Sequence, residues 1–165
     1  MVAAAGESLS LKVAGAEAME RLGACLAPSC RQGARIYLQG ELGAGKTTLV
    51  RGILRGLGHA GAVHSPSYAW VETYALRGLP PVYHLDLYRL QGGSEAAEFL
   101  GIREYFAEDA LVLVEWPERA GDLLPPPDLL AQLGMAAAGR RIRLCADRPS
   151  GDGLLRAARS FILQK

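Results

Sequence analysis

The string GELGAGKT, Gly40–Thr47, constrains this chain more than any other stretch of it. It matches G-x-x-x-x-G-K-[ST] at every fixed position, and its flanks suit the pattern. Before it, RIYLQ (35–39) reads as a short strand that runs straight into the glycines. After it, residues 46–58 carry Leu49, Ile53, Leu54 and Leu57 at helical spacing, with Gly58 as the end signal. Glycines let such a loop take positive φ and approach an oxyanion closely. Successive N–H groups and the start of the helix then point at phosphate oxygens. Lys46 is placed to reach the β- and γ-phosphates, and the Thr47 hydroxyl to reach Mg²⁺. The plain alternative is a glycine-rich turn before a core helix. Neither G-x-G-x-x-G nor an acidic ribose partner at the expected offset is present, which argues against a dinucleotide fold.

The cationic residues sharpen the point. Fifteen arginines stand beside only three lysines, Lys12, Lys46 and Lys165. A compact ammonium fits under a backbone cradle where a planar guanidinium does not.

The remaining chain reads as alternating strands and helices. A strand is expected over residues 8–14, a helix over 16–27, a strand within 64–74, turn material over 77–81 and an alternating strand over 82–90. The two strands flanking 77–81 make an antiparallel hairpin. A serine-capped helix over 94–107, broken at Gly101, precedes the continuous apolar run ALVLVEW (110–116). Such a run marks a strand buried on both faces. LLAQLGMAA and RIRLCADR form a closing strand pair around Gly139, and 152–163 make a last amphipathic helix. The expectation is α/β: one P-loop NTPase domain over 1–165, with a mainly parallel central sheet, antiparallel edge strands and helices on both faces.

At 165 residues, half of them hydrophobic, the chain suits one domain with a real core. A formal net charge of +1 gives no global reason to expect nucleic-acid binding, and leaves room for a local basic patch. No apolar run reaches the ~18 residues that span a bilayer. The N-terminus lacks a basic segment and a long apolar core, so no signal peptide or membrane association is expected. Cys25, Cys30 and Cys145 are odd in number and contain no CxxC, the pattern of free or buried thiols in a reducing cytoplasm.

A phosphate loop needs a second anchor for its metal. Glu115, ending ALVLVEW, sits where a central parallel strand delivers its C-terminal residue to the same crevice. It is placed to hold Mg²⁺ or polarise water, although the usual residue there is Asp; a solvated strand-end glutamate is the plain alternative. In YHLDLYR, His84 and Asp86 point to one face of a strand and Leu85 and Leu87 to the other. Asp86 suits Mg²⁺ binding or service as a base, against a simple salt bridge to an arginine. His84 suits the role of orienter, against structural packing. Ser65 and Ser67, in HSPSY, lie where nucleotide switches place a γ-phosphate-sensing hydroxyl, or form an ordinary turn.

In order and spacing, GELGAGKTT, HSPSY, YHLDLYR, FLGIREYF and LVEWPE resemble the bacterial TsaE (YjeE) family, from about Glu17 to Arg143. That resemblance implies an ATPase that supports threonylcarbamoyl transfer to adenosine 37 of tRNAs reading codons that begin with A. It implies ATP and Mg²⁺ as cofactors and a heterodimer of TsaB and TsaD as partner, with tRNA met indirectly through the complex. ATP turnover would then serve repeated cycles. By position, Leu42, Gly43, Ala44, Gly45, Lys46 and Thr47 would bind the ATP phosphates, and Thr48 would belong to the same ATP site. Thr47, Glu115 and Asp86 would serve the metal, with Lys46, Asp86 and Glu115 serving hydrolysis. Trp116 would sit beside the nucleotide, and Glu17 and Gly139 near the base or ribose. Ser67 stands where the family often has Thr, which keeps the hydroxyl.

Two other functions share the loop: a small-molecule or nucleoside kinase, and a nucleotide-binding module without turnover. A kinase usually needs an arginine-bearing lid, and no separate Arg-rich insertion is present. Asp86 and Glu115 argue against a passive module if they face the metal. No arginine is plainly placed as a finger. Arg89 and Arg140 are the candidates, and slow intrinsic turnover is the expectation.

Overall fold

The computed structural model describes residues 6–106 and 109–164. The N-terminal residues that bear on a signal peptide, residue 107 of the expected helix 94–107, and Lys165 lie outside that range.

Seven strands form one sheet in the order β1-β7-β6-β2-β5-β4-β3. They are β1 (Glu7–Val13), β2 (Ala34–Gln39), β3 (Val71–Tyr74), β4 (Val82–Asp86), β5 (Leu111–Glu115), β6 (Leu129–Met135) and β7 (Arg140–Ala146). The centre is parallel: β2 lies between β5 and β6, and β4 runs alongside β5. At the edges, β3 is antiparallel to β4, β7 to β6, and β1 to β7. The helices are α1 (Gly15–Leu26), α2 (Lys46–Gly56), α3 (Gly93–Phe99) and α4 (Asp152–Leu163). They cover both faces unequally. One core cluster joins α1, α2 and α4 to Leu11, Ile36, Leu113 and Ile142. The other joins Ala97 of α3 to Tyr37, Leu85, Val112 and Val114. The expected sheet and its helical cover are therefore present.

β5 is buried at every position, as its unbroken apolar run requires. β1 alternates instead: Leu11 and Val13 face the core while Ser8, Ser10 and Lys12 are exposed. The three cysteines are free, and burial pushes the Cys30 thiol up to about 12.

Several boundaries are shorter than the sequence pattern. The strand expected over 82–90 stops at Asp86, whose Oδ1 accepts the Tyr88 amide at 2.9 Å and turns the chain. Of 64–74, only Val71–Tyr74 is strand, and Trp70 just before it has φ 68°. The hairpin is present, but its connection runs from 75 to 81. Helix α2 closes at Gly56. Helix α3 ends at Phe99, and Gly101 at φ 67° hands over to a 3-10 turn, Ile102–Tyr105, which is the break expected there.

The strand register decides where functional side chains can gather. Leu38 and Asp86 both pair with Glu115, so β2, β5 and β4 end level with one another. The glycine loop leaves β2 at this same edge.

Candidate nucleotide site

The loop after β2 turns on glycine. Gly45, at φ 106°, sits in the left-handed region at the cap position of α2 and offers the helix no side-chain cap. The first-turn amides of α2 are thus left for a ligand. Lys46 is the next residue. Its Nζ donates to the carbonyls of Gly40 and, at 2.9 Å, Glu41, and lies 4.5 Å from the centroid of the Trp116 ring.

β5, which adjoins β2, and β4, the next strand beyond it, bring the acids. Thr47 Oγ1 donates to Glu115 Oε1 at 2.7 Å. His84 Nε2 lies 3.1 Å from the same oxygen, and because a carboxylate only accepts, the ring nitrogen is the donor. The other ring nitrogen, Nδ1, is buried without a partner. Asp86 is held by the Ser65 hydroxyl on Oδ2 and by the Tyr88 amide on Oδ1. Trp116, at φ 58°, meets Tyr88 in a tilted ring contact, with centroids 4.9 Å apart and planes 48° from parallel.

The buried polar side chains among the described residues are Lys46, His84, Asp86 and Glu115, each 5 % exposed or less. All four meet here. Isolated buried charges are strongly unfavourable, so their collection at one place marks a site. Burial lowers the Lys46 pKa, and the Glu115 and Asp86 carboxylates oppose that shift. Burial pushes the Asp86 carboxyl up; the Tyr88 amide pulls it back and the Glu115 charge adds to the rise.

Lys46, Asp86 and Glu115 line a cavity of about 420 Å³, while His84 reaches it only through its contact with Glu115. Leu42, Gly43, Gly45, Lys46, Thr47, Thr48, Ser65, Ser67, Asp86, Glu115 and Trp116 all line it, each one expected from sequence. Ala44 is buried in the loop behind them. Tyr88 lines it too and was not foreseen; its place directly after the Asp-Leu of DLYR, in the turn that Asp86 caps, is the signal that marks it. Arg89 reaches the wall with its guanidinium stacked 4.1 Å from the Tyr68 ring.

A smaller cavity of about 110 Å³ adjoins the loop, lined by Gly15, Ala16, Met19, Gly43, Gly45, Thr48 and Arg140. Arg140 ties the sheet to the loop by donating to the Gly43 carbonyl at 3.0 Å. Gly139 packs against Val13 and Ala14 beside it. Glu17 stands in the first turn of α1. Its carboxylate lines neither cavity; it is exposed and pairs with Arg21 at 3.2 Å.

The donor set fits a magnesium–nucleotide. Hard oxygens are present as one hydroxyl and two carboxylates, beside an uncapped helix start and a buried ammonium. No group of three or more His, Cys, Asp or Glu among the described residues could by itself cage a metal. Mg²⁺ commonly takes one or two carboxylates and completes its shell with phosphate and water.

The family model "Threonylcarbamoyl adenosine biosynthesis protein TsaE" matches residues 13–142. A Haemophilus influenzae "tRNA threonylcarbamoyladenosine biosynthesis protein TsaE" is 46% identical over 122 residues, 74% of this chain and 76% of that one. A Streptomyces coelicolor protein of the same description is 39% identical over 135 residues, 81% and 82% of the two chains. Among solved structures, the crystal structure of YdiB from Bacillus subtilis superposes with a TM-score of 0.77 at 27% identity, over 94% of this chain and 96% of that one.

Proposed function

The chain belongs to the TsaE family of threonylcarbamoyl adenosine biosynthesis proteins, and on that premise we propose that it is the Mg²⁺-dependent ATPase of tRNA threonylcarbamoyladenosine synthesis. It works with a TsaB–TsaD pair and lets that pair turn over repeatedly. The observation that carries this reading is the gathering of Lys46, His84, Asp86 and Glu115, the buried polar side chains, around one glycine loop.

In this reading the loop amides and Lys46 bind the β- and γ-phosphates. Thr47 and Glu115, already bonded at 2.7 Å, hold the metal, with Asp86 next to them. Bound magnesium would neutralise charge developing on the phosphates. Asp86 is the group to orient the attacking water and take its proton. Its raised pKa suits a base better than an ordinary aspartate, since an effective base titrates nearer working pH. Ser65, bonded to Asp86, couples the 64–70 loop to that base. Trp116 and Tyr88 form an aromatic wall beside Lys46, with the ammonium over the Trp116 ring.

Arg89 is the one arginine on the main cavity's lining, and it is stacked on Tyr68. With Arg89 held on Tyr68 and no arginine finger on the transferring phosphoryl group, turnover is slow until a partner or a movement of the 64–70 loop completes the site. The test is reconstitution with TsaB- and TsaD-like proteins, tRNA, threonine, bicarbonate and ATP, with and without this chain. The expected result is modified tRNA in excess of enzyme only when the chain is present, and slow hydrolysis by the chain alone. Hydrolysis by the isolated chain at about tens per second, within the kinase range, would refute the partner-completed site. Product accumulation indifferent to the chain would refute the pathway role.

A further inference from the structure

The three antiparallel strands β1, β7 and β6 use one face for the core, through Leu11, Val13, Leu133, Ile142 and Leu144. Among the described residues no helix lies above their other face; the helix on that side, α3, packs with Ala97 into the cluster of Leu85, Val112 and Val114. Exposed there are Lys12, Arg141 and Arg143. Lys12 pairs directly with Arg141, and Arg143 lies between Ser10 on β1 and Gln132 on β6. The outward positions of Ser8–Lys12, Leu130–Gly134 and Arg141–Cys145 hold no carboxylate beside Arg141 and Arg143. Glu7 lies one position off this alternation and pairs instead with Arg159 of α4.

We infer that this face binds the phosphate backbone of RNA, namely the tRNA of the pathway. The inference rests on the proposed pathway membership, and not on ATP turnover. Arginine meets phosphate with two parallel N–H donors, and serine and glutamine supply further backbone contacts. The exposed outward residues of the face, Ser8, Ser10, Lys12, Arg141 and Arg143, are polar, and none is one of the aromatic anchors that centre protein interfaces. Backbone recognition suits such a surface, because duplex RNA is read mainly by shape and phosphate contact. The face is also joined to the nucleotide loop. Arg140, which donates to Gly43 of the loop, is the immediate neighbour of Arg141 on the same strand. A phosphate chain drawn onto Arg141 therefore bears on the strand end that steadies the loop.

The test measures binding of a labelled tRNA transcript to the full chain by fluorescence anisotropy across a salt series. The comparison is between wild type, Arg141→Ser/Arg143→Ser and, as a charge-matched control, Arg31→Ser/Arg156→Ser. The double face variant should lose affinity at least tenfold, and the slope of log affinity against log salt should fall by about 1.4–1.8 for two phosphate contacts. The control should change about two- to threefold. Arg143→Glu alone should weaken binding as well, which guards against a double variant that misfolds. Absence of tRNA binding by wild type at low salt would overturn the inference, as would an equal loss in the control. Competition by poly-glutamate as strong as by unlabelled tRNA would assign the face to an acidic protein instead, and also overturns it. ATP binding, measured on the same variants, is expected to persist. A face that fails while ATP still binds leaves the nucleotide reading intact.

Discussion

At the Glu115 carboxylate a single oxygen, Oε1, accepts from both Thr47 and His84. His84 is fully buried, and its Nδ1 has no partner, so its defined contribution is the Nε2–H it donates. A buried donor of this kind fixes the orientation of its acceptor. Glutamine places an amide N–H near the position of Nε2, whereas asparagine places one near Nδ1. His84→Gln should therefore keep magnesium-dependent nucleotide affinity within a few fold, while His84→Asn and His84→Phe should lose about tenfold. Titrating a fluorescent nucleotide with and without magnesium checks this, and equal behaviour of the three variants would reduce His84 to packing. The pairing of His84 with Asp86 on one strand face was legible from period-two alternation alone. The shared oxygen was not, because it depends on the parallel register that sets β4 and β2 level with Glu115.

Between elements, the decisive contact is the one that seats α2 behind the loop. Helices α1 and α2 approach so closely at Gly52 that an added Cβ would lie 2.3 Å from the Glu20 carbonyl oxygen. At Gly23 it would lie 2.6 Å from that of Leu49. Both obstacles are backbone, which cannot swing aside. Gly52→Val should cost about 2–3 kcal/mol by overpacking. At roughly 2–4 °C per kcal/mol, that predicts a loss of about 5–10 °C in Tm by thermal denaturation. An unchanged Tm would mean that the helices do not cross here. The sequence showed α2 as a helix but not the use of these glycines, since helical spacing reports which face is apolar and not how near a neighbour comes. Strand ends were misjudged for a related reason. YHLDLYRL continues its alternation past Asp86, but the Tyr88 amide donates to the Asp86 carboxylate and the Leu90 amide to the Leu87 carbonyl, and these turn the chain out of the strand. The order of elements and the antiparallel edge pairs were legible, because turn residues and hydrophobic period locate them. The pairing of β2 between β5 and β6 was not, since parallel neighbours are far apart in sequence.

Across the whole molecule, the site is a place where stability is traded for chemistry. Asp86 and Glu115 are both buried and pair directly in register, with Lys46 as the buried cation between them and the loop. Because its folded pKa is raised, Asp86 destabilises the ligand-free fold above that pKa, and the penalty is relieved as pH falls through it. Asp86→Asn should therefore raise the Tm of the ligand-free protein at neutral pH, narrow its advantage as the medium is acidified, and abolish ATP hydrolysis while ATP still binds. Denaturation scans across pH check the sign, and a variant that hydrolyses ATP at the wild-type rate would return Asp86 to a structural role. The central claim is that the loop and Lys46 bind a nucleotide triphosphate. Calorimetric titration of ATP with Mg²⁺ into the wild-type chain and into Lys46→Ala tests it most directly. The account predicts saturable binding to the wild type and a loss of at least about tenfold, ~1.4 kcal/mol, in the variant. Equal affinity in the two proteins, or no binding to either, would contradict it.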